Sequence, residues 1–412
     1  MTQVNDGPMA HTGDLNSDAH MQLVDQYSAR NYAPLPVVIS RGEGAWVWDV
    51  EGHKYLDCLS AYSALNFGHS HPRILDVFIE QARRLTLTSR AFQNDQFGPF
   101  CQELTAFCDM DLVLPMNTGA EGVETAIKTA RKWGYTVKGV PDGKAQIICF
   151  SGNFHGRTTT IVSFSTEEQT KAHFGPYTPG FVVVKYGSLD ALRAAITPHT
   201  VAVLVEPIQG EGGVVVPPEG YLRGIRELCD EHNVLMIADE IQTGLGRTGR
   251  RFAVDHEEVK PDLVILGKAL GGGVMPVSAV VGSKEALGVF NPGDHGSTFG
   301  GNPLGCAVAR EAIRVLVDEK LAERADRVGK AFRDRIRAAN CSKIKEVRGK
   351  GLLIGIEMTP EAGAAKPYCK QLKGEGVLCK DTVDNVMRIA PPLMIAEADL
   401  DWAAERVIKV LS

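Results

Sequence analysis

The sequence predicts an α/β protein: a mostly parallel central sheet with helices on both faces, an N-terminal segment before it and a smaller α+β unit after it. Three observations carry that expectation. Between Leu112 and Val281 seven short runs recur: Leu112 to Pro115, Gln146 to Phe150, Phe181 to Val184, Val201 to Val205, Leu235 to Ala238, Leu263 to Leu266 and Val277 to Val281. Each is apolar throughout rather than alternating, as strands covered on both faces are. Several are separated by helical patterns, which suits crossovers between parallel strands. Past Gly301 the texture turns helical, and shorter strands return only near the end.

Taken in order, Met1 to about Ser17 is small and polar, the composition of a loose terminus, so ordered structure is expected to begin near Met21. Ala45 to Asp49 and Lys54 to Asp57 flank the turn signal Glu51-Gly52-His53 and predict a hairpin. The seven apolar runs follow, with a helical pattern from about Glu121 to Lys138 after the first. Ala307 to Lys320 and Ala322 to Ala339 place apolar residues three and four apart on a Lys/Arg/Glu-rich background and predict two helices. Strands around Leu352 to Met358 and Val386 to Ala390 and a helix from Glu397 to about Val410 close the chain. The division expected is 1–65 as an N-terminal segment, 66–312 as the large domain and 313–412 as the small one.

Composition removes several classes of function. The 412 residues are 44% hydrophobic and 23% charged, an ordinary globular balance. The 44 Lys+Arg against 50 Asp+Glu leave a net charge of −6, without the basic excess that nucleic acid would need. No run approaches the ~18 apolar residues that span a bilayer, so no membrane partner is expected. Arg30 is the first Lys or Arg, and Asp6, Asp14 and Asp18 precede it, which fits no secretory signal or organelle presequence; the address expected is the cytoplasm. Nine cysteines without a C-x-x-C pair read as reduced core thiols, with no metal site.

Ligands of open α/β sheets bind beyond the carboxyl ends of the strands, so the strand exits carry the chemistry. Leu112 to Met116 exits into Asn117-Thr118-Gly119-Ala120 and a helix, and a small-residue turn at a helix N-terminus offers free N–H groups to a phosphate. Leu235 to Ala238 exits into Asp239, with Gln242 three residues on. Leu263 to Gly267 exits into Lys268. Singly these read as a plain helix cap and two solvated charges. Together, an anion cradle, a carboxylate and an amine are what pyridoxal 5'-phosphate requires: an anchor, a partner for the pyridinium nitrogen, and a lysine for the Schiff base that later shuttles a proton. Gly244 to Gly249 matches G-x-G-x-x-G, but it starts late after its strand and leads into Arg250-Arg251-Phe252, so it is no dinucleotide site. His69 and His71 have no further ligand at metal spacing and read as hydrogen-bonded loop residues.

Six ordered motifs make these residues recognisable: Asn117-Thr-Gly-Ala-Glu121, Gly152-Asn-Phe-His-Gly-Arg157, Val205-Glu-Pro-Ile-Gln-Gly-Glu211, Ala238-Asp-Glu-Ile-Gln-Thr-Gly244, Gly267-Lys-Ala269 and His295-Gly-Ser-Thr-Phe-Gly-Gly-Asn-Pro303. From about Tyr27 onward the chain resembles the class III aminotransferases of fold type I. Asn31 to Pro36, Leu87 to Phe92 and Leu114 to Gly119 carry the wording of the ornithine branch rather than the acetylornithine branch. The resemblance implies Lys268 as the Schiff-base lysine, Asp239 as partner of the ring nitrogen, Gln242 at the ring hydroxyl and Phe154 stacked on the ring. It implies Thr118, Gly119 and Ala120 around the phosphate, with Ser297 and Thr298 reaching the phosphate of a neighbouring subunit, hence a homodimer. His155 stands where some ornithine enzymes carry Trp, a departure at the pocket wall.

For substrates, the resemblance implies L-ornithine and 2-oxoglutarate in a ping-pong exchange. Arg157 is expected to clamp a carboxylate bidentately, Tyr32 to recognise the α-amino group of ornithine and Tyr62 to line the pocket. Arg388 would take the second carboxylate of 2-oxoglutarate, and Glu211 would neutralise Arg388 while ornithine is bound. Read without the resemblance, both tyrosines pack, Glu211 is an exposed loop acid and Arg388 a solvent-facing strand residue. The alternative on the same scaffold is an acetylornithine or 4-aminobutyrate aminotransferase. Arginine breakdown and proline supply are equally compatible settings.

Overall fold

A computed structural model describes residues 15–412. Residues 1–14 of the expected loose terminus lie outside the described residues, but regular structure begins earlier than Met21. A helix runs Ser17–Tyr27, started by Asn16, whose side chain accepts from the Ala19 N–H. The polar composition that suggested a loose end also supplies a helix cap.

Strands β1 (Ile39–Glu43), β2 (Trp46–Asp49) and β3 (Lys54–Asp57) form the expected hairpin with one strand added before it. The main sheet comprises β4 (Leu112–Met116), β5 (Gln146–Phe150), β6 (Phe181–Val184), β7 (Thr200–Val205), β8 (Leu235–Asp239), β9 (Leu263–Leu266) and β10 (Ser278–Gly282). Their spatial order is β4-β10-β9-β8-β7-β5-β6. Every pair is parallel except those made by β10, which runs antiparallel to both β4 and β9. The sheet is therefore mostly parallel, and β7, β8, β9 and β10 are buried along their whole length. That two-sided burial is the cause of their unbroken apolar sequence.

The two predicted helices extend Pro303–Asp318 and Leu321–Ala338. The first starts four residues before Ala307 because Asn302 caps it and Pro303 sits at its first position. The closing unit adds β11 (Ile344–Lys350), β12 (Leu353–Met358), β13 (Val377–Leu378), β14 (Lys380–Thr382) and β15 (Val386–Ile389), then a helix Glu397–Leu411. Strands β11, β12, β15 and β14 make one antiparallel sheet. Strand β13 instead pairs parallel with β3, so the N-terminal hairpin sheet is completed by a strand from near the other end of the chain. No helix among the described residues is long and apolar enough to cross a membrane, and all nine cysteines are free thiols.

Candidate active site

Strands β4, β5, β7, β8 and β9 send their carboxyl ends to one edge of the sheet, where a cavity of about 210 Å³ lies. Its lining includes Gly119 and Ala120 after β4, Phe154 and His155 after β5, Glu206 and Glu211 after β7, Asp239 and Gln242 at the end of β8, and Lys268 after β9. The sheet thus brings together residues as far apart in sequence as Gly119 and Lys268, as the strand-end rule requires.

The cradle begins with the helix Gly119–Trp133, which continues into a wider turn over Gly134–Lys138. Thr118 caps it: its hydroxyl accepts from the Glu121 N–H at 3.3 Å, and Glu121 returns bonds to the Thr118 and Asn117 N–H groups at 2.7 and 3.1 Å. The Thr118 carbonyl takes the Gly122 N–H. The N–H groups of Gly119 and Ala120 have no acceptor among the described residues, and both residues line the cavity. Two free donors at the positive end of a fifteen-residue helix are an anion site. Thr118 is spent on the cap and does not line the cavity.

Glycine matters where the loops meet. An added Cβ on Gly119 would come within 3.0 Å of Ile241, and one on Gly267 would lie 3.3 Å from Ile241 and 3.6 Å from the Gly119 Cα. The cradle, the Asp239 loop and the Lys268 loop therefore pack directly on one another, and Lys268 takes a left-handed φ of +44° there. Such strain in a side-chain-bearing residue persists only where the surroundings hold it.

Both oxygens of buried Asp239 are held: Oδ1 accepts from the Ile241 N–H at 3.1 Å, and Oδ2 faces His155 Nδ1 at 2.6 Å. Burial favours a neutral His155, but Asp239 outweighs it and raises the imidazole pKa. Glu206 accepts from the Phe154 N–H at 3.0 Å, and burial pushes its carboxyl up to about 7. Burial also lowers the Lys268 pKa against the opposing pull of Glu211 and Asp239, which favours a free amine able to act as nucleophile and base. The sequence placed His155 at the pocket wall without its bond to Asp239, and Glu206 was not singled out as functional. Only the tight spacing of the Gly152 to Arg157 motif could have suggested that its histidine points at Asp239.

Around this floor the remaining residues separate. Arg388, in the centre of β15, is 1% exposed rather than solvent-facing. It makes an ion pair with Glu211, while its Nε and Nη2 are buried without partners. Burial pushes the Glu211 carboxyl up, but Arg388 in front and Lys268 and Gln242 beside it bring it net below the usual carboxylate range. Gln242 Nε2 donates to Glu211 at 3.1 Å and reaches the Tyr62 carbonyl at 3.4 Å. Tyr62 belongs to a turn, Ser60–Ser63, in which four successive non-glycine residues have positive φ. Arg157 is exposed and stacks its guanidinium 5.5 Å from the Phe154 ring centroid, making no hydrogen bond or ion pair among the described residues. Tyr32, 67% exposed, lines a neighbouring cavity of about 760 Å³ that it shares with Tyr62. Ser297 accepts from Asn117 Nδ2 at 2.9 Å, beside the cradle, and Thr298 is exposed; neither lines the cavity of its own chain.

The rejected glycine motif has a structural duty. Arg247 within it is fully buried and donates to Asn66 and to the carbonyls of Leu352 and Pro391, joining the loop after β8 to the segments beside β12 and β15. His69 and His71 bond to Asp57 and Glu319 respectively.

The sequence pattern described as "Aminotransferase class-III" matches residues 27–411. The chain belongs to that family. Its relatives include an ornithine aminotransferase of Brevibacillus brevis, 56% identical over 95% of this chain and 97% of the relative. An ornithine aminotransferase structure from Toxoplasma gondii, described with partial occupancy of PLP at its active site, superposes with a TM-score of 0.95 at 50% identity, covering 96% and 94% of the two chains. An acetylornithine aminotransferase from Elizabethkingia anophelis gives 0.88 at 48% identity, covering 96% and 99%. Class-III aminotransferases use pyridoxal 5'-phosphate. The residues here fit it: two unpartnered helix N–H groups for the phosphate, an oriented carboxylate, and a lysine whose ammonium form burial disfavours, all around one cavity.

Proposed function

We propose that the protein transfers the δ-amino group of L-ornithine to 2-oxoglutarate, giving glutamate and glutamate 5-semialdehyde, which closes to pyrroline-5-carboxylate. The observation that carries this reading is the buried Arg388–Glu211 pair beside the Lys268 cavity. An enzyme that alternates a monocarboxylate diamine with a dicarboxylate needs a second carboxylate site that is present for one substrate and masked for the other. The ornithine aminotransferases among its relatives support the same substrate.

Pyridoxal 5'-phosphate, when bound, supplies an aldehyde for amines and a ring that takes up the electrons of a broken C–H bond. The protein residues do the rest. Asp239, fixed by Ile241 and His155, would hold a proton on the ring nitrogen. Gly119 and Ala120 would bind the phosphate, Phe154 would cover one ring face and Gln242 would face the ring hydroxyl. Lys268 Nζ would carry the proton to and from the substrate carbon. Arg157 would clamp one carboxylate of either substrate and so direct the distal amine inward, with Tyr32 receiving the α-amino group and Tyr62 the pocket wall. During ornithine turnover Glu211 neutralises Arg388; a dicarboxylate displaces it.

A homodimer, with Ser297 and Thr298 of one subunit completing the other's phosphate site, belongs to the same proposal and is supported by the exposure of Thr298 and Phe299. So do the three-part division at 65/66 and 312/313 and a cytoplasmic address. The test is an amine-donor screen with 2-oxoglutarate, scored by pyrroline-5-carboxylate formation. Ornithine should lead; preference for N-acetylornithine or 4-aminobutyrate would overturn the substrate assignment.

A further inference from the structure

Tyr62 stands between two cations. The Arg388 guanidinium is 5.1 Å from its ring centroid and the Lys380 ammonium 5.6 Å, and Lys380 Nζ also donates to the Tyr62 hydroxyl at 3.2 Å. Strands β14 and β15 pair in a register that sets Lys380 directly opposite Arg388. Directly opposed residues of antiparallel strands send their side chains to one face, and like charges so placed repel. Glu211 is bonded to Arg388, whereas Lys380 makes no ion pair among the described residues. The fold therefore maintains an unbalanced positive charge beside a masked carboxylate site.

Lys380 also lines the 760 Å³ cavity, together with Lys366 and Lys370. The acids lining it are Asp57 and Asp381. Asp57 is engaged by the Leu59 and Ser60 N–H groups and by His69 at 2.9 Å each. Lys380 is thus the point where that cavity, open toward Tyr32, meets Tyr62 and Arg388. Ornithine carries a net positive charge at neutral pH, and 2-oxoglutarate carries two negative ones.

We infer that Lys380 is a specificity-determining cation for the acceptor: it draws the dicarboxylate through this cavity to Arg388 while giving the cationic donor no advantage. The inference rests on the proposed exchange of ornithine and 2-oxoglutarate. It makes the cavity an electrostatic funnel, whose effect belongs to capture rather than to the proton transfer at Lys268. Tyr62 is its positioning residue, since the hydroxyl fixes the ammonium and the strained turn fixes the ring.

Lys380→Met keeps the side-chain length and removes the charge; Lys380→Arg restores it. In ping-pong kinetics kcat/KM for each substrate reports its own half of the exchange. Lys380→Met should lower kcat/KM for 2-oxoglutarate about ten-fold and change that for ornithine less than two-fold, with Lys380→Arg recovering most of the loss. Rising ionic strength should depress the wild-type acceptor value and leave that of Lys380→Met nearly flat. Calorimetric titration of the holoenzyme with glutarate, a dicarboxylate that does not react, should show a matching loss of affinity in Lys380→Met. Equal losses for both substrates, an unchanged salt response or unchanged glutarate binding would each overturn the inference. If wild-type protein fails to use ornithine, the substrate proposal falls by itself, and glutarate binding still decides the role of Lys380.

Discussion

The floor of the cavity and its rim are built by different means. Gly119 and Lys268 come within three residues of the ends of β4 and β9, Asp239 is the last residue of β8, and their loops touch through Ile241. The rim draws on Tyr62 from a left-handed turn, Arg388 from the closing sheet and Tyr32 from the segment before the hairpin. A floor fixed by adjacent strands suits chemistry, which tolerates little displacement. A rim made of separately anchored pieces suits the exchange of two substrates, because Glu211 and Arg388 can part without disturbing the sheet.

The sharpest way to break this contrast is at the floor. Lys268→Ala should reduce turnover by about 10⁴-fold or more, since both nucleophile and proton carrier are removed. The fold should persist, because the Lys268 side chain makes no hydrogen bond that holds an element in place among the described residues. Steady-state rates with far-ultraviolet circular dichroism check both halves; near-normal turnover would end the mechanism.

At the rim the loss should fall on one substrate. Arg388→Met should lower kcat/KM for 2-oxoglutarate by about 10²-fold or more while ornithine retains most of its own. It should also cost stability, because Glu211 would be left facing an apolar neighbour. Equal damage to both substrates would mean that Arg388 serves the floor, and the division drawn above would fail.

How far each region was legible follows from the same contrast. The strand exits could be read because two-sided burial writes itself into an unbroken apolar run, and the residue after the run is then marked by position alone. Strand β10 was found as a strand, yet its antiparallel direction was not, since an apolar run carries no sign of direction. Arg388 was a different case. Nothing in Val386-Met-Arg-Ile-Ala390 says that its arginine is 1% exposed and paired with an acid 177 positions earlier, and only the family resemblance reached it. Lys380 had neither aid: its register opposite Arg388 comes from a three-residue strand too short to show periodicity. His155 was legible as a residue but not as a contact, because its bond to Asp239 joins the exits of two non-adjacent strands.

The floor also stores a pH response of its own. Burial lifts the Glu206 carboxyl from 4.5 to about 7, so the neutral acid's contribution is whole below about pH 4.5 and is lost as pH rises through about 7. Glu206→Gln keeps an amide oxygen for the Phe154 N–H and removes the titration. The variant should match wild type near pH 4.5 and be more stable at about pH 8, by roughly 1–3 kcal/mol. Denaturant melts at the two pH values measure this, and a variant weaker at both would show that the carboxylate is needed charged beside His155.

The smallest expected effect is at the outermost rim residue. Tyr32 is two-thirds exposed and shares its cavity with Tyr62, so its hydroxyl offers a single hydrogen bond to an α-amino group in competition with water. Such a bond is worth about 0.5–1.5 kcal/mol, so Tyr32→Phe should lower kcat/KM for ornithine roughly two- to ten-fold. The same change should spare 4-aminobutyrate, which has no α-amine, and 2-oxoglutarate, which has none either. The pattern across substrates decides more than its size does: a loss shared by all three would make Tyr32 a packing residue of the entrance, whereas a loss confined to ornithine would place recognition of the α-amine outside the sheet altogether.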